Sequence, residues 1–148
     1  MNVPWLEIAR AEIGQHEIAG ARDNPRILEY FRATDYPAAH DEVPWCSAFV
    51  NWCLLQAGVV GTRSAAARSW ATWGAEAAAE PGAIIVLRHR QAGADAATGS
   101  ASGYHVAFWI GQDETHVRLL GGNQSDQVKE SAFPLAAYEV VACRGPAV

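Results

Sequence analysis

The hydrophobic positions change their period about half way along the chain. In the first half they recur at helical spacing. Pro4 opens a segment with apolar residues at Trp5, Ile8, Ala9 and Ile13, and Gly14 ends it. Proline at the first position and glycine past the last are the punctuation of a helix. Asn24-Pro25 is a second start signal, with Ile27, Leu28 and Phe31 on one face. The pattern predicts a third helix over residues 45–57, stopped by Gly58, and a fourth from about Ser64 that carries Trp70 and Trp73.

The second half reads as strands. Residues 82–88 hold the apolar run Ile84, Ile85, Val86 and Leu87. Further strands are predicted over 105–111, 116–120 and 138–143, with a weaker one over 128–133. Residues 90–104 are rich in Gly, Ala and Ser and read as a loop, either a lid over a groove or a plain insertion. Connectors such as Gln112-Asp113-Glu114 imply antiparallel hairpins. Helices first and strands after predict an α+β fold, with N-terminal helices packed on one face of a C-terminal antiparallel β-sheet. The 148 residues show no internal repeat and read as a single domain over 1–148.

Composition narrows the function. The chain is 50% hydrophobic, enough for a core, and its net charge of -5 comes without any Lys/Arg cluster. Nucleic acid is therefore not expected as a partner, and neither is an anionic membrane surface. Residues 1–10 have no basic start followed by an apolar run, so no signal peptide is expected. Three cysteines do not make a disulfide framework, and the histidines lack metal-site spacing. The expectation is a monomer with no cofactor and no metal.

One cysteine sits where chemistry favours it. Pro44-Trp45-Cys46-Ser47-Ala48-Phe49-Val50 places Cys46 at a helix start. The exposed N–H groups and dipole there favour a thiolate and can serve an oxyanion beside it. Cys53, two turns on, and Cys143, in the last strand, read as core, which is the ordinary fate of a free cysteine. His105 begins an apolar strand after a glycine-rich loop and shares a face with Ala107 and Trp109. It is the expected base for Cys46, with His89 its main competitor. Such a base needs an acceptor on its second nitrogen. Gly121-Gly122-Asn123-Gln124 would end the next strand beside His105, so Asn123 is the expected acceptor and Gln124 the weaker one. Read alone, Gly-Gly-Asn is equally a turn.

These blocks, with Pro81-Gly82-Ala83-Ile84-Ile85-Val86-Leu87 and Tyr104-His105-Val106-Ala107-Phe108, resemble the NlpC/P60 and CHAP superfamily of papain-like peptidoglycan hydrolases. The resemblance runs over almost the whole chain and is nearest to a subgroup of small single-domain wall hydrolases. It implies a papain-like NlpC/P60 fold and a Cys46-His105-Asn123 triad. The reaction it implies is cleavage in the peptide of peptidoglycan or at its amide link to the sugar. Many CHAP members carry a glutamate two residues before that asparagine; here the place is Gly121. Around the triad, Trp45, Asp41, Tyr104 and Gln124 are the expected groove residues, although Asp41 and Glu42 also suit a solvated turn. The implied partner is a peptidoglycan stem peptide. With no signal peptide, the chain would be made in the cytoplasm and act on the wall after release by a holin or a secretion system. A delivered toxin would add an immunity protein as partner. Acyl transfer to an amine and a non-catalytic wall-binding module are the alternatives on the same scaffold.

Overall fold

The structure, a computed structural model, describes residues 3–18, 24–35, 44–91, 93–100 and 102–147. It is α+β. Among these residues three helices, α1 (Pro4–Ala11), α2 (Pro25–Phe31) and α3 (Cys46–Gln56), precede a 3-10 helix over Ala67–Thr72. Six strands follow: β1 (Ala75–Glu76), β2 (Ile84–His89), β3 (Tyr104–Gln112), β4 (His116–Gln124), β5 (Gln127–Pro134) and β6 (Tyr138–Gly145). They form one antiparallel sheet in the order β1-β6-β2-β3-β4-β5.

Helix starts follow the sequence signals. Pro4 and Pro25 open α1 and α2, and Asn24 caps α2 by accepting the Arg26 N–H at 2.8 Å. α3 has no polar face: every residue from Cys46 to Leu54 is buried. A helix apolar all round must be covered all round, and α3 lies between α1, α2 and the sheet. Its two buried polar residues, Ser47 and Asn51, hold a neighbouring segment. Asn51 accepts the Arg63 N–H at 2.9 Å and donates to the Ser64 carbonyl at 3.1 Å. The Ser47 hydroxyl donates to the same carbonyl at 2.6 Å and accepts the Trp70 indole N–H at 2.8 Å. A side chain at Gly61 would lie 2.4 Å from the Asn51 amide oxygen, so glycine is required for this approach.

The sheet carries a core on each face. Ile84, Val86, Val106, Phe108 and Leu120 pack under the helices. Ile85, Leu87, Ala107, Leu119, Phe133 and Tyr138 form a second cluster. The expectation of a single helix-covered face therefore accounts for half of the sheet's burial. The predicted fourth helix is instead the short 3-10 turn, with Trp70 inside it and Trp73 at its end. The 116–120 strand runs four residues further, to Gln124, through a bulge.

That bulge decides the site. The β4–β5 register slips between Gly121 and Gln124, and Asn123 adopts φ +61°. Asparagine tolerates this left-handed region better than most residues. A bulge breaks the two-residue alternation of a strand, so Gly121, Gly122, Asn123 and Gln124 are all buried. A Cβ at Gly122 would come within 2.6 Å of the Trp45 ring and 2.9 Å of Phe49. Gly122→Ala should therefore cost about 1–3 kcal/mol through overpacking, read as a lower urea midpoint at unchanged slope.

Candidate active site

Cys46 is the first residue of α3 and Trp45 its N-cap. The Trp45 side chain offers no cap. Its backbone N–H instead donates to Asn123 Oδ1 at 2.8 Å, which ties the helix entry to the β4 bulge. Asn123 thus uses its oxygen on the main chain and does not orient His105. This corrects the expected role of Asn123. Trp45 is corrected too. It is fully buried, stacked on Tyr30 at 5.9 Å and bonded through its indole N–H to Glu17 at 2.9 Å, so it is core and not groove. Asp41 and Glu42 lie outside the described residues.

The orienting contact comes from Gln124. Its Oε1 lies 3.0 Å from His105 Nε2. The Gln124 amide nitrogen faces the carbonyls of Lys129 at 2.8 Å and Leu119 at 3.3 Å. Carbonyls only accept, so the group facing them must be NH2 and the oxygen must face the imidazole. Nε2 therefore carries the proton, and Nδ1 of the neutral ring keeps its lone pair. Nδ1 is buried and has no hydrogen-bond partner among the described residues. Gly121 makes room for this bond, since a Cβ there would sit 2.7 Å from Gln124 Oε1. A glutamate at 121 would collide with the amide that replaces it.

The thiol meets β3 from the helix side. The Trp109 N–H donates to Ala83 across to β2, so by alternation the even positions of β3 face β4. The β3–β4 pairing ends at Phe108 and Leu120, which leaves the Val106 amide outside the ladder. That amide acts on the Cys46 thiol, together with those of Ser47 and Cys46 itself. The thiol thus touches the main chain next to His105, while the His105 ring packs 5.6 Å from Phe133 of the second cluster; among the described residues no hydrogen bond joins thiol and imidazole. Burial pushes the Cys46 thiol up, against the pull of those three amides. Burial also pushes the fully enclosed His105 down to about 4, against the raising effects of Gln124 and Asp95. The resting pair is a neutral thiol and a neutral imidazole.

The low His105 value has a consequence for stability. An unfolded histidine titrates near 6.5, so between pH 6.5 and about 4 the unfolded chain binds the extra proton. Stability is fully present above that window and falls as the pH drops through it, by up to about 3 kcal/mol. Urea midpoints measured from pH 7 to pH 4 should show this fall, and His105→Gln should flatten it.

Cys46 opens on a cleft of ≈ 280 Å³ whose walls include Pro44, Arg68, Ser100, Ser102 and Tyr104. Residues 93–100 are pinned beside it. The buried Asp95 carboxylate accepts the Tyr138 hydroxyl at 2.7 Å and that of Thr98 at 3.1 Å, and the Ala97 carbonyl accepts the Ser125 N–H. The alternative histidine, His89, ends β2 one residue past the Arg88–Tyr104 pair; its ring is tilted against Tyr138 at 5.0 Å, and its Nδ1 is also buried without a hydrogen-bond partner among the described residues. Cys53 is buried core, and Cys143 is only half-buried. Among the described residues no group of three His, Cys, Asp or Glu side chains could hold a metal ion. No helix among them is long and apolar enough to cross a membrane.

The sequence missed the wall formed by residues 64–68, because Asn51 and Ser47 hold it through long-range bonds with no local signal. Comparison with protein-family models, with curated proteins and with solved structures finds no match for this chain.

Proposed function

We propose that the chain is a papain-like cysteine hydrolase of the NlpC/P60 and CHAP kind, cutting peptide or amide bonds of bacterial peptidoglycan. The observation that carries the reading is the locked tautomer of His105. Gln124 Oε1 accepts a hydrogen bond from Nε2–H, which leaves Nδ1 bare, and the amide of the next residue, Val106, acts on the Cys46 thiol. The wall as substrate rests on the resemblance of the sequence blocks around Cys46, His105 and Gln124.

In this reading Nδ1 removes the thiol proton as Sγ attacks the substrate carbonyl carbon. The negative charge passes to the carbonyl oxygen, where main-chain N–H groups at the start of α3 can donate to it. His105 then returns its proton to the leaving amine as the C–N bond breaks. A thioester on Cys46 remains. Water, deprotonated by the same nitrogen, releases the acid and restores the thiol. A rest state with both groups neutral suits a mechanism in which the proton moves during attack.

Acid-quenched intact-mass spectra taken during turnover on peptidoglycan fragments test the scheme. An acyl adduct mapping to Cys46 is expected; turnover with no adduct in either wild type or a slow-deacylating Gln124→Leu variant would contradict it. Gln124→Leu should itself lower turnover by about 100-fold or more, because the imidazole loses the contact that fixes its tautomer.

A further inference from the structure

The cleft in front of Cys46 also holds a positive charge. Arg68 lines it, and its guanidinium lies over the Tyr104 ring, 5.4 Å from the centroid. Arg10, Arg26, Arg63, Arg88 and Arg118 each pair with a carboxylate. Arg68 has no carboxylate partner among the described residues. Its backbone is held firmly, since Ala67 is buried and the Ser64 carbonyl just upstream takes bonds from Ser47 and Asn51. Stacking on Tyr104 restricts the side chain as well and leaves the edge of the guanidinium fork free for a planar anion.

From this arrangement we infer that Arg68 is a specificity-determining residue that binds a free carboxylate on the substrate close to the bond attacked by Cys46. The inference deepens the hydrolase reading and rests on it for the word substrate. A cleft of ≈ 280 Å³ is at the small end of ligand pockets. The carboxylate therefore belongs within about one residue of the scissile carbonyl. The substrate class is a peptide or amide with an acidic group beside the cleaved bond. The Ser100 and Ser102 hydroxyls, also in the cleft lining, lie 3.2 Å apart and accept the N–H groups of Gly103 and Tyr104, which fixes the wall next to Tyr104.

The first test needs no turnover. Cys46 of the full chain is alkylated at low salt with iodoacetate or with iodoacetamide, and the rates are read by site-resolved mass spectrometry. Cys143 serves as the internal reference. A cation at the thiol should raise the iodoacetate-to-iodoacetamide ratio at Cys46 above that of the unfolded chain. Arg68→Gln should lower it several-fold, Arg68→Lys should largely keep it, and added salt should reduce it. An identical ratio in wild type and Arg68→Gln overturns the inference. The second test compares two peptidoglycan fragments that differ only in a carboxylate or a carboxamide beside the cleaved bond. Wild type should favour the carboxylate in kcat/KM, mainly through KM, and Arg68→Gln should lose that preference. Cleavage of both at equal rates by wild type overturns the anion site and leaves the hydrolase standing. An intact alkylation preference without cleavage of either fragment supports the anion site and sinks the hydrolase.

Discussion

His105→Ala is expected to lower turnover by about 1,000- to 10,000-fold, the usual contribution of a well-placed general base. The reasoning starts from charge. The Cys46 thiol is pushed up by burial, so little thiolate exists at neutral pH without help. In the proposed mechanism Nδ1 of His105, with its free lone pair, is the base, and Gln124 keeps it unprotonated. Loss of the ring removes both the proton acceptor for attack and the proton donor for the leaving amine. The pH profile of kcat/KM should separate base from scaffold. Wild type should lose activity as the pH drops toward about 4, where His105 takes up a proton, and the residual activity of the variant should lack that limb. Circular dichroism checks that the variant folds. A folded His105→Ala variant with near wild-type turnover would remove His105 from the chemistry.

Cys46→Ala is expected to abolish turnover, by about a million-fold if the hydrolase behaves as other covalent hydrolases do when the nucleophile is removed. The fold should survive. Alanine suits the first turn of a helix, and α3 is held by Phe49, Val50 and Leu54, not by the thiol. The stability cost should stay near 1 kcal/mol. Cys53→Ala is the informative contrast. Cys53 is fully enclosed among the helices, so its truncation should destabilise by roughly 1–2 kcal/mol. Turnover per folded molecule should be unchanged. The opposite pattern, with Cys53→Ala folded and inactive, would mean that the nucleophile has been misassigned.

The elements that carry their own punctuation were legible from sequence. Pro4, Asn24-Pro25 and Gly58 mark helix ends because proline, asparagine and glycine act through their own backbone geometry. The alternation in β3 placed His105 with Ala107, and the structure shows both in or beside the second cluster. The sequence ranked Asn123 above Gln124, and the structure reverses that order. The choice rests on a bulge, which swaps the faces of neighbouring residues and depends on pairing with β5. Trp45 was misplaced for a related reason. A tryptophan beside a nucleophile suits a groove, but Gly122 in β4 leaves room for its ring in the core. Arg68 gave no signal at all, because only the fold brings it to Tyr104 and Cys46.

The central claim is that Cys46 attacks a wall amide. Mass-spectrometric analysis of purified peptidoglycan incubated with wild type and with Cys46→Ala tests it most directly. The account predicts that wild type releases defined fragments, whose new termini identify the bond, and that the folded variant releases none. Release by both proteins, or by neither while both remain folded, would contradict it.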